Sequence, residues 1–300
     1  TTLATMGDYH AHLHPHGAYS GVGPPPGEYP PGHLDAYVET ALGRGADEVG
    51  FTEHLFRCVE SADALGPFWE SEPRRDLAAQ TAEFVTGERN LSLKQYVEVV
   101  TDAQDRGLPV KLGLEVDFFP DTIEAVLDLL EPYPFDFLIG SIHWVGGWSI
   151  DHSAVEYEYA RRGVDRAYED YFVWETQLAA SGTVDVLAHS DVVKKYGHRL
   201  PQVPLDLYRK VARAAAASGT AVEVSSAGLH KRVGEMYPAP EFLAIFNEEG
   251  VPITLASDAH YPEECGRDRD LAIEAARTAG YTHRLRFRRR EAEEVPLGQG

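Results

Sequence analysis

The chain sets out its reactive groups early, in Asp8-Tyr9-His10-Ala11-His12-Leu13-His14-Pro15-His16. Along an extended strand successive side chains alternate between faces, so His10 and His12 project on one side and both imidazoles can reach a single metal ion. His14 shares that register, but Pro15 breaks the strand, and the Pro15-His16-Gly17 turn re-aims His16 toward a neighbouring ion. A histidine run near a chain end also fits a tag remnant or a metal-scavenging tract. The rest of the sequence argues against that plainer reading, because further histidines and acids recur where strands end: Glu53-His54, Glu115 with Asp117, His143, His189 and Asp258-Ala259-His260. One histidine at a strand exit is ordinary packing; five such exits, joined by Glu115 and Asp258, point to a shared pocket.

Neutral imidazoles and carboxylates suit zinc, iron or manganese and are a poor set for magnesium or calcium. Cys58 and Cys265 are the only cysteines, with neither CxxC spacing nor a disulfide framework, which argues against a thiolate site and for a reducing compartment. A cluster of imidazoles and acids that holds such ions lowers the pKa of a bridging water and offsets charge building on a phosphoryl group. Phosphate monoesters, which resist hydrolysis strongly in water, call for that kind of stabilisation.

The elements that must carry these groups follow from the pattern. Apolar residues at helical spacing over 34–42, 93–103, 154–180, 205–218 and 241–249 alternate with strand-like runs near 48–52, 110–117, 135–143, 184–189, 220–225 and 252–257. Together with the N-terminal strand these are seven strand runs separated mostly by helices, the signature of parallel βα units whose sites sit at C-terminal strand ends. The expected fold class is therefore α/β, as one domain over residues 7–285. A short tail over 1–6, a possible lid insertion at about 55–106 and a C-terminal tail over 286–300 complete it. Three hundred residues with 43% hydrophobic content are enough for one large core. No run is long and apolar enough to span a membrane and no basic, apolar leader is visible, so a cytoplasmic protein with no membrane partner is expected. The formal charge of −21 disfavours nucleic acid. Oligomeric state is left open.

The ordered motifs have a family resemblance. His-x-His with Pro-His-Gly, Thr52-Glu53-His54, Gly113-Leu114-Glu115-Val116-Asp117, Gly140-Ser141-Ile142-His143-Trp144, Ala188-His189-Ser190-Asp191 and Ser257-Asp258-Ala259-His260 resemble the PHP (polymerase and histidinol phosphatase) superfamily. Gly146-Gly147-Trp148 and Lys194-Lys195-Tyr196-Gly197 are similar to its monofunctional histidinol-phosphate phosphatases. The resemblance implies a distorted (β/α)7 barrel with three divalent metals at its mouth. One would take His10, His12, Glu115 and Asp258. Glu115 would bridge to a second, held also by His143 and His189, and a third would take His16, His54 and His260. The stretch between His12 and His16 is shorter than in many relatives, which leaves His14 as a rival to His16. The implied activity is hydrolysis of L-histidinol phosphate to L-histidinol and phosphate in histidine biosynthesis, by in-line attack of a metal-bridging hydroxide.

Around that core the sequence offers helpers. Asp191 and His230 are candidates to protonate the leaving group, against a plainer role as loop or supporting hydrogen bonds. Lys194, Lys195, Arg199, Lys231 and Arg232 are candidates to bind phosphate, some of them necessarily ordinary surface charges. Trp144 and Trp148 read as wall packing, and His33, His152, His198 and His283 as surface or satisfied core. The basic run 284–290 reads as a solvated terminal strand or tail. Alternative functions are an amidohydrolase-like metal hydrolase, which would not need Glu115 as a bridge, and a catalytically silent metal-binding domain.

Overall fold

The computed structural model describes residues 6–17 and 21–297. In chain order the elements are β1 (Met6–Ala11), α1 (His33–Gly43), β2 (Ala46–Phe51), α2 (Ser61–Leu65), α3 (Arg75–Glu88), α4 (Leu93–Asp105), β3 (Val110–Leu112) and β4 (Glu115–Asp117). They continue as α5 (Ile123–Leu130), β5 (Ile139–Ser141), β6 (Trp144–Val145), β7 (Trp148–Ser149), α6 (Glu158–Arg162), α7 (Val164–Ser181), β8 (Val186–Leu187) and α8 (Leu205–Ser218). The last are β9 (Ala221–Ser225), α9 (Pro240–Glu248), β10 (Ile253–Ala256), α10 (Arg269–Thr278), β11 (His283–Arg288) and β12 (Glu291–Pro296).

The helices form where apolar residues repeat every three or four positions. In α4 the buried set Leu93, Tyr96, Val97, Val100 and Ala103 makes one stripe, and Ser92 caps the start by accepting from Gln95 N at 3.2 Å. Tyr208, Val211, Ala212 and Ala215 do the same in α8. The helical region expected over 154–180 is interrupted at Gly163, which separates α6 from α7.

Two parallel sheets, β1-β2-β3 and β10-β9-β8-β5-β4, make the framework. The expected strand 110–117 is split into β3 and β4 by Gly113 and Leu114, and at Gly113 a side chain would strike Phe137 Cζ at 2.6 Å and Phe51 O at 2.8 Å. The sheets meet at both edges through single bridges, His54 with Glu115 and Ala11 with Ala259. His12 N donates to Ala259 O at 2.7 Å and Ala259 N to His10 O at 3.2 Å, so the first strand run joins the last and the ring closes as a distorted (β/α)7 barrel. Ala11 lies between His10 and His12, Ala259 between Asp258 and His260, and His54 and Glu115 form the other bridge themselves, so the barrel closes at the residues that could hold metal. No helix among the described residues is long and apolar enough to cross a membrane.

The insertion after β2 packs as α2, α3 and α4 beside the mouth, tied to α6 by Arg74 with Glu158 and by Arg162 Nη2 with Glu72 Oε2 at 3.1 Å. The segment expected as a C-terminal tail is instead an antiparallel hairpin, β11 with β12. Leu285 and Phe287 bury against Tyr9, Phe137, Ile139 and Val186. The intervening arginines meet acids from the strand starts: Arg286 Nε and Nη2 reach Glu48 at 2.9 and 2.8 Å, Arg284 reaches Asp47, and Arg290 pairs with Asp185. Alternation of apolar and basic residues is here a strand with one face in the core and the other on a ring of carboxylates.

Burial raises the Glu48 carboxyl, but Arg286, the Tyr9 hydroxyl and Lys111 outweigh it and hold the group below the usual carboxylate range. The stability from this pair is present above that range and is lost as pH falls through it. Arg286→Ala is therefore expected to cost about 1–3 kcal/mol at neutral pH, with the gap from wild type narrowing in acid. Urea unfolding of both metal-free proteins at pH 7 and pH 4 checks this; an equal gap at both would remove Glu48 from the account.

Candidate metal centre

The strand exits converge. Glu115, fully buried at the start of β4, lies among five imidazoles: its Oε1 is 3.3 Å from His143 Nε2 and 3.0 Å from His189 Nε2. Its Oε2 is 2.7 Å from His54 Nδ1, 3.5 Å from His10 Nε2 and 3.6 Å from His12 Nε2. Asp258 Oδ1 is 3.4 Å from His10 Nε2 and 3.2 Å from His12 Nε2. A second knot forms where His16 Nε2 lies 2.9 Å from both His54 Nε2 and His260 Nε2.

These distances fit metal binding. Two ligands about 2.0–2.1 Å from a tetrahedral ion lie roughly 3.3–3.4 Å apart, and the spacings above straddle that value. His16 and His260 are held well below the ordinary imidazole range by burial and by neighbouring imidazoles, so they stay neutral and face lone pair to lone pair. Burial opposes ionisation of Glu115, but His54, His143 and His10 hold it well below the usual carboxylate range. A positive ion between neutral nitrogens and ionised oxygens is the natural complement of this donor set. Four trios have ligand atoms within 4.8 Å of one another: His12, His54 and His260; His10, His12 and Glu115; His10, His189 and Asp258; His54, Glu115 and His143. The trios share members, so the site is one continuous cluster.

Buried carboxylates behind the cluster orient its rings. His10 Nδ1 lies 2.9 Å from Glu223 Oε2, which fixes the proton there and turns the Nε2 lone pair inward. Glu223 also accepts from His189 N at 2.8 Å, and Asp117 Oδ1 holds His143 Nδ1 at 2.9 Å. Asp8 accepts from Ser257 N at 2.9 Å and Gly266 N at 2.7 Å, pinning the exit of β10. Asp258 itself has φ 53° and His189 φ 28°, left-handed values that cost energy in residues other than glycine and are kept where the surroundings impose them. Asp117 stands among the strand-end acids of the sequence, though not in this supporting role, and Glu223 was not singled out. Glu223, a lone charge inside the apolar run of β9, and Asp117, in the same alternating register as Glu115, did carry a signal.

His14 and His16 part company as Pro15 requires. His14 is buried with Nε2 2.9 Å from Glu28 O and its ring 4.7 Å from that of Tyr29. Glu53 holds that turn by accepting from Leu13 N at 2.6 Å and His14 N at 2.8 Å, and Arg57 donates to His14 O at 2.9 Å. Only His16 enters the knot.

Two connected chambers open over the cluster. One, of about 60 Å³, is lined by His16, His54, His143, His189, Asp258 and His260 together with Asp151, Lys195, Lys231 and Tyr237. The other, of about 290 Å³, continues outward past Phe56, Phe84, Trp144 and His152. Lys195 and Lys231 thus reach the chamber, and Lys195 Nζ is steadied by Asp151 O at 2.8 Å and Oδ2 at 3.1 Å.

The other expected helpers lie elsewhere. Lys194 is buried against Asp191 Oδ2 at 2.8 Å, Glu235 Oε2 at 2.7 Å and Met236 O at 2.7 Å. Asp191, offered as a proton donor, spends its Oδ2 on Lys194 and on Ala239 N at 2.8 Å, and it lines neither chamber. Arg199 is exposed on Glu235, Arg232 reaches Glu156 at 2.8 Å, and His230 pairs with Asp268. In each case a nearby acid or carbonyl captures the group before it can turn to the mouth. Trp148 packs on Tyr159, His33 on Leu13 O, His198 on Tyr159 and His283 beside Glu294, whereas Trp144 and His152 line the outer chamber.

His16→Ala is expected to bind fewer metal ions than wild type. His14→Ala should keep its metal and instead lose about 1–2 kcal/mol of stability through the Glu28 and Tyr29 contacts. Elemental analysis and urea unfolding of both variants check this; equal metal loss would undo the distinction.

Comparison with known proteins agrees with this geometry. The model of the PHP domain family matches residues 12–227. A protein of Deinococcus radiodurans described as a "Probable histidinol-phosphatase" is 32% identical over 254 residues, covering 84% of this chain and 90% of that one. The histidinol-phosphatase of Bacillus subtilis is 26% identical over 255 residues, covering 78% and 89%. Histidinol phosphate phosphatase from Lactococcus lactis, crystallised with zinc, L-histidinol and phosphate, superimposes with a TM-score of 0.68 at 22% identity over 96% of this chain and 99% of its own, a likeness of fold. Motif order, barrel closure and a family match across most of the chain lead to one assignment: this protein belongs to the PHP domain family.

Proposed function

We propose that the protein is a metal-dependent phosphomonoesterase that hydrolyses L-histidinol phosphate to L-histidinol and phosphate, as a step of histidine biosynthesis. The observation that carries this reading is the placement of Glu115, whose two oxygens face different histidine groups. A carboxylate so placed suits a bridge between adjacent ions. The names borne by the Deinococcus and Bacillus relatives favour the same substrate.

In this reading the cluster would hold three divalent ions, zinc, iron or manganese. His10, His12, Glu115 and Asp258 would hold the first, Glu115, His143 and His189 the second, and His16, His54 and His260 the third. When bound, they supply an activated water and neutralise charge on the phosphoryl group. The remaining work falls to the chain. Glu223 and Asp117 keep His10 and His143 in the tautomers that present Nε2 to the cluster. Lys195, held by Asp151, and Lys231 present positive charge to a phosphate in an otherwise acidic protein. Phe56, Phe84 and Trp144 give the outer chamber an apolar wall that a flat ring on the leaving alcohol would fill and that keeps bulk water from the reacting bond.

Glu115→Gln is expected to stay folded while losing metal and about a hundredfold or more in phosphate release. Its Gln side chain keeps the shape but not the charge. The decisive measurement is a phosphate-release screen over metabolite monoesters after chelation and reloading with zinc, iron or manganese. Preference for L-histidinol phosphate in the reloaded wild type and near silence in Glu115→Gln are the expected results. Normal turnover by the variant, or no hydrolysis of any monoester by the wild type, overturns the proposal.

A further inference from the structure

No sequence motif marks Tyr237, yet it lines the inner chamber beside His189, Asp258 and His260. The residue is 2% exposed, and its hydroxyl has no hydrogen-bond partner among the described residues. Every other fully buried tyrosine among the described residues finds one. Tyr9 donates to Glu48, Tyr37 to His12 O at 2.7 Å, Tyr96 to Gly113 O at 2.8 Å, Tyr159 to Ile150 O at 2.9 Å and Tyr171 to Glu175 at 3.4 Å. A buried hydroxyl left unpaired carries the cost of its desolvation, so one that persists in a chamber wall belongs with a ligand.

The ring cannot swing to find an acceptor in the protein. Tyr237 N donates to Ser225 O at 3.1 Å and Ser225 N to Tyr237 O at 2.7 Å, tying the residue to the exit of β9. Gly228 lies against the ring edge, where an added Cβ would meet Cε2 and Cζ at 3.1 Å. Lys194 Nζ stands over the face at 5.4 Å from the centroid, and the His189 ring lies 6.3 Å away, edge to face. A phenol ordinarily ionises only at about pH 10, so at neutral pH the hydroxyl keeps its proton and toward a ligand it is a donor.

We propose that Tyr237 is a catalytic residue whose hydroxyl donates a hydrogen bond to a non-bridging phosphoryl oxygen in the inner chamber. This rests on the phosphomonoesterase reading and adds a residue to it. The proton stays on the tyrosine throughout. A water oxygen forms the new bond to phosphorus, the bond to the alcohol oxygen breaks, and the alcohol takes its proton from that water. The hydrogen bond strengthens as charge spreads over the phosphoryl oxygens.

The test uses the full-length, zinc-loaded protein and Tyr237→Phe. Removing a hydroxyl without a protein partner takes away nothing that holds the fold, so the variant should fold and keep its metal. Calorimetric binding of inorganic phosphate should weaken about tenfold or more, and kcat/KM for L-histidinol phosphate should fall at least as far, chiefly in kcat. Tyr281→Phe, which loses a bond to Val251 O far from the mouth, should leave both unchanged. Unaltered phosphate affinity and kcat in Tyr237→Phe overturn the proposal. A wild type that binds phosphate but hydrolyses no monoester rejects the phosphomonoesterase reading alone, since the affinity comparison still judges Tyr237. A wild type that binds no phosphate rejects both.

Discussion

The structure depends on keeping one carboxylate ionised where no water reaches it. Glu115 is fully buried at a strand end, and an isolated charge there would protonate rather than accept the desolvation penalty. Five imidazoles surround it, and three of them, His54, His143 and His10, hold the group ionised. The His10 and His143 rings are in turn held from behind by Glu223 and Asp117, and the His54 ring stacks on that of His12. The arrangement is stable as a set and not as parts: remove the acid, and several buried nitrogens lose the partner that defines their orientation.

The same requirement organises the frame. Ligands at the ends of separate strands keep their relative positions only if the strands are locked, and the bridges at Ala11–Ala259 and His54–Glu115 do this beside the ligands themselves. Strain is accepted at the same places, in the left-handed backbone of Asp258 and His189. At the opposite end the hairpin of β11 and β12 covers the strand starts and neutralises Asp47, Glu48 and Asp185 with arginines.

Much of this was legible in the residues themselves, because alternation and chain breakers act locally. His10 and His12 share a face by periodicity, Pro15 separates His14 from His16, and charged residues close one apolar run after another. The groups that sequence misplaced are those whose fate lies with distant partners. Lys194 and Arg199 sit close to His189 in sequence, but Glu235, some forty residues on, draws both away from the mouth. The arginines of 284–290 resemble a solvated tail until the acids at 47, 48 and 185 are brought beneath them. Tyr237 has no local signature at all, since what marks it is a missing partner, and that exists only once the chamber is built.

The bridge between Ala11 and Ala259 has a consequence for synthesis. The first histidine of the cluster leaves the ribosome some two hundred and fifty residues before its last members, Asp258 and His260, and the ring cannot close until both are present. Contacts this remote in sequence form late and slowly. A growing chain therefore exposes the early histidines before the residues that complete their cluster exist, and a cation held by the whole cluster would enter only once the chain is finished.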